Sequence, residues 1–168
     1  FNSIQSVEMV EAQFPLRIER CEIRESACGD GEFRGGFGLR RDVKILGQTG
    51  ALSVLSEKNV IPPYGVEGGS NGAANSFTVI RDGEVTQPSP VPGKVSGFPL
   101  KMGDVVREET AGGGGYGDPI KRNPQLVRAD VAEEYLTVAE AAQRYGVVLD
   151  GDIVNVAATE AKRAELSQ

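Results

Sequence analysis

The sequence predicts an α+β fold: a glycine-rich, mainly antiparallel β domain over residues 1–119, with a short helical C-terminal segment over residues 120–168 packed on it as one compact unit. Three observations predict this class. Apolar and charged residues alternate from Phe14 to Ile23, which is the period of a strand with one buried face. Glycine makes up 22 of the 168 residues without a collagen-like period, so it belongs in turns, bulges and backbone-lined loops. After Asp118-Pro119 the composition changes to Ala, Glu and Arg, and helical periodicity begins.

The β domain is predicted to consist of short strands joined by turns. Four further segments have the composition of strands, namely 33–46, 51–56, 77–80 and 105–110. Glycines at 35, 36 and 38 interrupt the first of them, which favours bulges and a twisted hairpin. Asp82-Gly83 follows the third, and this pair adopts the positive φ angles that a type I′ hairpin turn requires.

The helical segment is predicted from its capping residues. The predicted N-caps of its three helices are Asn123, Thr137 and Asn155. A proline at 124 suits the first position of the first helix. Glu140, three residues after Thr137, completes a capping box, and Gly146 ends that second helix.

Charge and composition exclude several classes of function. Lys and Arg number 18 against 24 Asp and Glu, so the net charge of −6 disfavours DNA and RNA as partners. The chain has no histidine, which excludes a His-based nucleophile triad, a His general base and imidazole metal ligands. Its apolar stretches are far shorter than the ~20 residues of a membrane span.

The first residues and the low cysteine content of the sequence favour a cytoplasmic protein. Phe1-Asn2-Ser3 shows neither a signal-peptide pattern nor an initiator Met, so we expect a cytoplasmic protein cut from a longer polypeptide. Cys21 and Cys28 are too few for a disulfide framework and fit no zinc spacing. We expect both to be plain thiols.

Four consecutive glycines, Gly112, Gly113, Gly114 and Gly115, are the most unusual feature of the sequence. Such a run has high entropy in the unfolded chain, so the folded protein must need bare backbone there. One interpretation is a loop whose N–H groups, with the adjacent Tyr116, bind an anion or oxyanion. The other is close packing of chain segments at a subunit contact. No Walker or dinucleotide pattern surrounds the loop.

Two further sets of residues are candidates for a site. Arg34 and Arg40, beside flexible backbone, are able to hold a carboxylate or phosphate, although a solvated hairpin that exposes its arginines is the alternative. Asp118, directly after the glycines, is the candidate catalytic carboxylate, and its alternative role is to start an Asp-Pro turn.

Several motifs, taken in order, resemble the C-terminal part of the hydantoinase B family. The family includes N-methylhydantoinase B subunits, the C-terminal half of 5-oxoprolinases and the homologous subunits of acetone and acetophenone carboxylases. The resemblance is carried by 6–8 with Glu11, 14–20, 31–41, 62–65, Gly68-Gly69, Gly103-Asp104, 112–119 and 145–149. It covers essentially the whole chain and does not specify a substrate.

The resemblance implies the C-terminal portion of the B-type subunit of an ATP-dependent amidohydrolase that opens hydantoin, 5-oxoproline or a related lactam ring. In that family a hydantoinase A-type partner phosphorylates the carbonyl, and the B-type subunit handles the activated intermediate. A portion of an ATP-dependent ketone carboxylase subunit and a non-catalytic interface module of such a complex remain as alternatives.

The resemblance also implies where the cofactors and partners of such an enzyme belong. No cofactor is expected on this segment, because ATP with Mg belongs to the A-type partner and a divalent metal to the N-terminal part of the B-type subunit. The expected partners are that N-terminal part, the A-type ATP-binding subunit and a small-molecule substrate. The chain alone is expected to be inactive.

Overall fold

The computed structural model describes residues 4–167, and within them it has four α-helices and mostly antiparallel strands. The predicted α+β class is confirmed. Residues 1–3, on which the expected cellular location partly rests, lie outside the described residues. The chain divides into two compact units, and each unit draws on three separate stretches of sequence.

The first unit contains the described residues up to Arg24, together with Gly38–Pro62 and Ala74–Ala111. Its helix and strands are, in chain order, α1 (Val7–Gln13), β1 (Leu16–Arg24), β2 (Gly38–Ile45), β3 (Thr49–Leu55), β4 (Ser76–Arg81), β5 (Glu84–Thr86), β6 (Lys94–Lys101) and β7 (Val105–Glu109). Five strands form an antiparallel sheet in the order β1-β2-β7-β4-β5, and β3 pairs with β6 in a separate ribbon. Apolar side chains of both sheets meet in one core that includes Ile45, Val79, Leu100 and Val106.

The β4–β5 hairpin turns at the predicted residues. Asp82 has φ 53° and Gly83 has φ 84°, the two positive values of the type I′ turn. Helix α1 and strand β6 were not predicted. Helix α1 begins at the N-cap Ser6, and β6 contains Pro99, a residue tolerated there because β6 pairs only with β3 among the described strands.

The second unit contains Glu25–Phe37, Pro63–Ala73 and the described residues from Gly112 onward. Its regular elements are a 3₁₀ turn (Pro119–Lys121), α2 (Pro124–Ala132), α3 (Val138–Tyr145), β8 (Leu149–Asp150), β9 (Ile153–Val154) and α4 (Val156–Leu166). The core of the unit lies among its helices and includes the fully buried Val127, Tyr145 and Val147.

The caps of this unit follow the sequence prediction. The N-cap side chains are Asn123, Thr137 and Asn155, each accepting a backbone N–H of the helix it begins. Thr137 and Glu140 form the capping box in both directions, and Gly146 ends α3 with φ 62°.

The predicted boundary after residue 119 does not coincide with the division into units. The helices of residues 120–168 are grouped with three glycine-rich loops from earlier in the chain. The physical reason is that bare glycine backbone lets these loops lie directly against one another, and polar side chains of the loops bond to the helices. Neither feature is visible in a composition profile.

No helix within residues 4–167 is long and apolar enough to cross a membrane.

Candidate functional site

Three glycine-rich loops of the second unit, residues 27–36, 63–72 and 112–117, run side by side and form what we call the glycine braid. Tyr116 is central to it, because it pairs antiparallel with Phe33 and parallel with Val66. The backbone N–H and carbonyl groups of Tyr116 and Phe33 bond to each other at 2.9 and 3.0 Å. The braid is therefore a small three-stranded arrangement built almost entirely from main chain.

Close approach of backbones explains the glycines of the braid. At nine positions a Cβ would overlap a backbone carbonyl oxygen within the braid, namely Gly29, Gly31, Gly35, Gly65, Gly69, Gly72, Gly112, Gly114 and Gly115. Gly112 lies against Ala27, Gly114 against Tyr64 and Gly115 against Asp30. Close packing of chain segments at the glycine run therefore occurs between loops of the same chain. The subunit contact that the sequence offered as the alternative stays a prediction.

Two of the four glycine N–H groups that the sequence assigned to anion binding are already bonded. Gly113 donates to the carbonyl of Gly36, and Gly115 donates to the carbonyl of Ser70, both at 2.9 Å. Gly112 is buried. Within residues 4–167, the N–H of the half-buried Gly114 has no hydrogen-bond acceptor. Anion binding by Gly112 to Gly115 stays a prediction, and Gly114 is the glycine best placed for it.

Asp30 connects the braid to helix α3. Its N–H donates to Oγ of Ser70 at 2.7 Å, and its carbonyl accepts the N–H of Ser70 at 2.8 Å. Its carboxylate accepts a 2.8 Å hydrogen bond from the hydroxyl of Tyr145 and lies 3.6 Å from Arg144. Burial raises the pKa of Tyr145 above its ordinary value, and the charge and hydrogen bond of Asp30 raise it further.

Arg34 is held by the buried carboxylate of Asp130. Its Nε lies 3.2 Å from Oδ2 of Asp130, and the same oxygen accepts a 3.0 Å hydrogen bond from Arg122. The guanidinium of Arg34 also lies 4.1 Å from the centre of the Phe37 ring. Asp130 and Arg122 are both 6% exposed, so the group is an internal ion network. The anion-binding role predicted for Arg34 stays a prediction, and its Nε and Nη1 already donate to Asp130 and to the carbonyl of Gly35.

Arg40, the other predicted anion-binding arginine, belongs to the first unit and pairs with Asp42. Its Nη2 lies 2.9 Å from Oδ2 of Asp42, and Nε of Arg107 lies 2.9 Å from Oδ1. Burial alone would raise the pKa of Asp42, but hydrogen bonds from Arg107 and Arg40 outweigh it and lower the pKa to about 2. Arg34 and Arg40 are thus each held by a carboxylate of their own unit.

Asp118 starts the 3₁₀ turn at Pro119–Lys121. Its Oδ1 accepts the N–H of Ile120 at 3.0 Å, which is the turn-starting role that the sequence left as the alternative. Its catalytic role stays a prediction.

Among residues 4–167, the Cys, Asp and Glu side chains are the groups that would ligate a metal ion. Cys21 and Cys28 are free, and burial raises the pKa of the half-buried Cys28 thiol although Arg34 opposes it. Across residues 4–167, no three His, Cys, Asp or Glu side chains gather in a way that fits a metal ion.

The model of one protein family, described as hydantoinase B/oxoprolinase, matches residues 2–119. The chain belongs to the hydantoinase B/oxoprolinase family. The matched range includes the first unit and all three loops of the glycine braid, so the backbone packing described above lies within the family's own segment.

Named relatives extend the comparison. The chain is 32% identical over 165 residues to caprolactamase subunit beta of Pseudomonas jessenii, covering 94% of this chain and 28% of that one. It is 34% identical over 110 residues to 5-oxoprolinase of Saccharomyces cerevisiae, covering 66% of this chain and 8% of that enzyme. The chain therefore spans about a quarter, or less, of the length of these hydantoinase B relatives.

Solved structures show the same fold. The crystal structure of ATP-dependent caprolactamase from Pseudomonas jessenii matches 95% of this chain and 28% of its own, with a TM-score of 0.77 and 30% identity. Nucleotide-free acetone carboxylase matches 98% of this chain and 26% of its own, with a TM-score of 0.75. At 22% identity, the second likeness concerns the fold alone.

Sequence reasoning missed most of the residues that hold the second unit together. Asp30, Arg122 and Asp130 were not singled out, and Tyr145 entered only as part of the motif 145–149, although all four make buried or half-buried polar contacts. The sequence contained one signal for Asp30, its position between Gly29 and Gly31. Asp flanked by glycines is typical of a turn, where the carboxylate is available for a hydrogen bond. The other three gave no local signal, because their partners are distant in sequence.

Proposed function

We propose that the chain is part of the B-type subunit of an ATP-dependent cyclic-amide hydrolase. The reaction is ring opening of hydantoin, 5-oxoproline or a related lactam after an A-type partner has phosphorylated the carbonyl oxygen. The observation that carries the proposal is the 32% identity to caprolactamase subunit beta over 94% of this chain. A protein named as a lactamase thus matches most of this chain at an identity above the level at which only folds are shared.

This chain would contribute fixed backbone N–H groups to the site that binds the phosphorylated intermediate. The phosphorylated intermediate carries negative charge on its phosphoryl oxygens, beside the carbon that water attacks, and the electron pair of the C=N bond moves to the ring nitrogen as water adds. Fixed N–H dipoles stabilise such an anionic intermediate without reorganising. Gly114 supports this role, because its N–H has no acceptor within residues 4–167 while its neighbours Gly113 and Gly115 hold the loop in place. Mg-ATP and any divalent metal would be held by other parts of the enzyme.

A second candidate is that the segment forms an interface and takes no part in chemistry. The bonded N–H groups of Gly113 and Gly115 favour it, since they are unable to serve a ligand without breaking the braid. A ketone carboxylase is the third alternative, and only a likeness in fold to acetone carboxylase supports it.

The test is an assay of the intact complex with ATP. Hydantoin, 5-oxoproline, caprolactam and acetone with bicarbonate are supplied separately, and phosphate release is scored together with product. We expect ATP-coupled ring opening of at least one cyclic amide and no turnover by the 168-residue chain alone. ATP use with acetone and bicarbonate only would overturn the hydrolase proposal and leave the family assignment intact.

A further inference from the structure

Three large apolar side chains stand next to one another on the glycine braid and remain exposed. Phe33 is 62% exposed, Val66 43% and Tyr116 52%. The two backbone bridges through Tyr116 place the three residues in register on neighbouring segments, and the rings of Phe33 and Tyr116 lie 6.3 Å apart. Side chains at paired positions of adjacent strands project from the same face. We call Phe33, Val66 and Tyr116 the aromatic face.

The aromatic face is held rigidly, although it adds nothing to the core of its unit. That core lies among the helices and includes none of these three residues. The backbone beneath the face is fixed by hydrogen bonds, including Val66 N–H to the Gly115 carbonyl at 2.9 Å. A patch of apolar side chains on a rigid base binds with little loss of conformational entropy, and aromatic anchors of this kind dominate protein interfaces.

The charges of the three loops indicate the chemistry of the partner. The braid loops, residues 27–36, 63–72 and 112–117, together with Asp118 directly after them, contain four carboxylates and one cation, Arg34, which is bonded to Asp130. These carboxylates are Asp30, Glu32, Glu67 and Asp118. Because Asp30 is already bonded to Tyr145, the negative border of the face comes mainly from the other three. A complementary partner therefore presents an apolar patch bordered by lysine or arginine.

We infer that the aromatic face docks the remaining part of the B-type subunit. The inference rests on the proposed function for the identity of that subunit. The argument for this occupant is length, since the matched relatives carry this segment within polypeptides about four times as long. In such a polypeptide an apolar face on a rigid base is covered by the rest of the subunit, which buries the rings of Phe33 and Tyr116.

The test compares the side chains of the 168-residue protein alone with those of the same segment in the assembled B-type subunit. Hydroxyl-radical footprinting read by mass spectrometry reports the accessibility of Phe33, Tyr116 and the control Ile153, which is 72% exposed in the same unit. We expect Phe33 and Tyr116 to become protected on assembly and Ile153 to stay reactive. No substrate or ATP is needed, so the outcome does not depend on which reaction the enzyme performs.

Variants give a second readout. Phe33→Ala and Tyr116→Ala should each weaken binding to the separately produced remainder of the subunit by about tenfold or more, the effect of losing an interface anchor. Ile153→Ala should bind as the unaltered protein does. Equal thermal midpoints of the three variants would show that folding is preserved, as expected for exposed side chains.

Three results would overturn the inference. The first is unchanged reactivity of both rings in the assembled subunit. The second is a dimer of the isolated chain that Phe33→Ala dissociates, which would assign the face to a second copy. The third is protection of the rings in the isolated chain by hydantoin or caprolactam alone, which would make the face a substrate site.

Discussion

The hydroxyl of Tyr145 donates a 2.8 Å hydrogen bond to Oδ1 of Asp30, a residue 115 positions earlier in the chain. Tyr145 is fully buried at the last turn of α3, and Asp30 lies in the first loop of the glycine braid. Since the carbonyl of Asp30 is also the group against which Gly115 packs, one side chain of the helix positions the backbone that the glycine run requires. This hydrogen bond connects the end of α3 to a glycine-rich loop that has few side chains of its own.

Tyr145→Phe removes the hydroxyl and leaves the ring in place. We expect the free energy of unfolding to fall by about 1–2 kcal/mol, because the half-buried carboxylate of Asp30 loses a charge-assisted hydrogen bond. Guanidinium chloride unfolding followed by circular dichroism measures the change. Tyr116→Phe is the matched control, since that side chain is half exposed, and it should lie within about 0.5 kcal/mol of the unaltered protein.

Alkaline pH tests the same hydrogen bond. The pKa of Tyr145 is raised by burial and by Asp30, so the folded state keeps this proton more tightly than the unfolded state, whose tyrosines titrate near pH 10. The stabilisation is complete below that pH and is lost as the pH rises above it. We expect the stability of the unaltered protein to fall more steeply above about pH 10 than that of Tyr145→Phe. Parallel stability curves for the two proteins would contradict a raised pKa.

Local signals predicted the parts of the fold that depend on near neighbours. The hairpin at Asp82-Gly83 and the capping box of Thr137 and Glu140 each need only two to four adjacent residues, and both are present. The division into units was not predictable in this way, because the braid depends on contacts such as Gly115 to Asp30, between residues that the sequence separates widely.

In the candidate site, too, features that depend on adjacent residues were predictable and contacts between distant residues were not. The run from Gly112 to Gly115 marked where bare backbone is needed, but a run of glycines does not reveal which carbonyl lies opposite each of them. Arg34 stood out as a free cation in the sequence, whereas its partner Asp130 comes from a helix that starts 90 residues later. The glycine pattern therefore predicted where the braid lies, whereas the residues that contact its glycines and Arg34 are visible only in the folded chain.

Gly115→Ala tests the packing of the braid. Its Cβ would overlap the carbonyl of Asp30, so we expect destabilisation of about 2 kcal/mol or more from overpacking. Gly36→Ala is the matched control in the same braid, because no atom lies within 4 Å of the added Cβ, and its effect should stay within about 0.5 kcal/mol. Thermal unfolding of the two variants side by side decides the matter, and equal midpoints would falsify close packing at Gly115.

Asp42 makes the first unit sensitive to acid. Burial opposes ionisation of this carboxyl, but hydrogen bonds from Arg107 and Arg40 lower its pKa to about 2 from the ordinary 3.8. A lowered pKa means that the folded state favours the carboxylate, so the stabilisation is present above about pH 4 and is lost as the pH falls toward 2. Its size is about 2 kcal/mol for a shift of this extent.

Asp42→Asn removes this dependence on pH and leaves two arginines without their charged partner. We expect the variant to be less stable than the unaltered protein at pH 7 by about 2 kcal/mol, and the difference to shrink as the pH approaches 2. Urea unfolding between pH 2 and pH 7 measures both effects. The control is Glu57→Gln, whose carboxylate pairs with Lys94 at 2.6 Å but is 86% exposed, so its loss should leave the unfolding midpoint unchanged. If the stability difference between Asp42→Asn and the unaltered protein stayed constant across that pH range, the arginine pair would not be what holds Asp42 ionised.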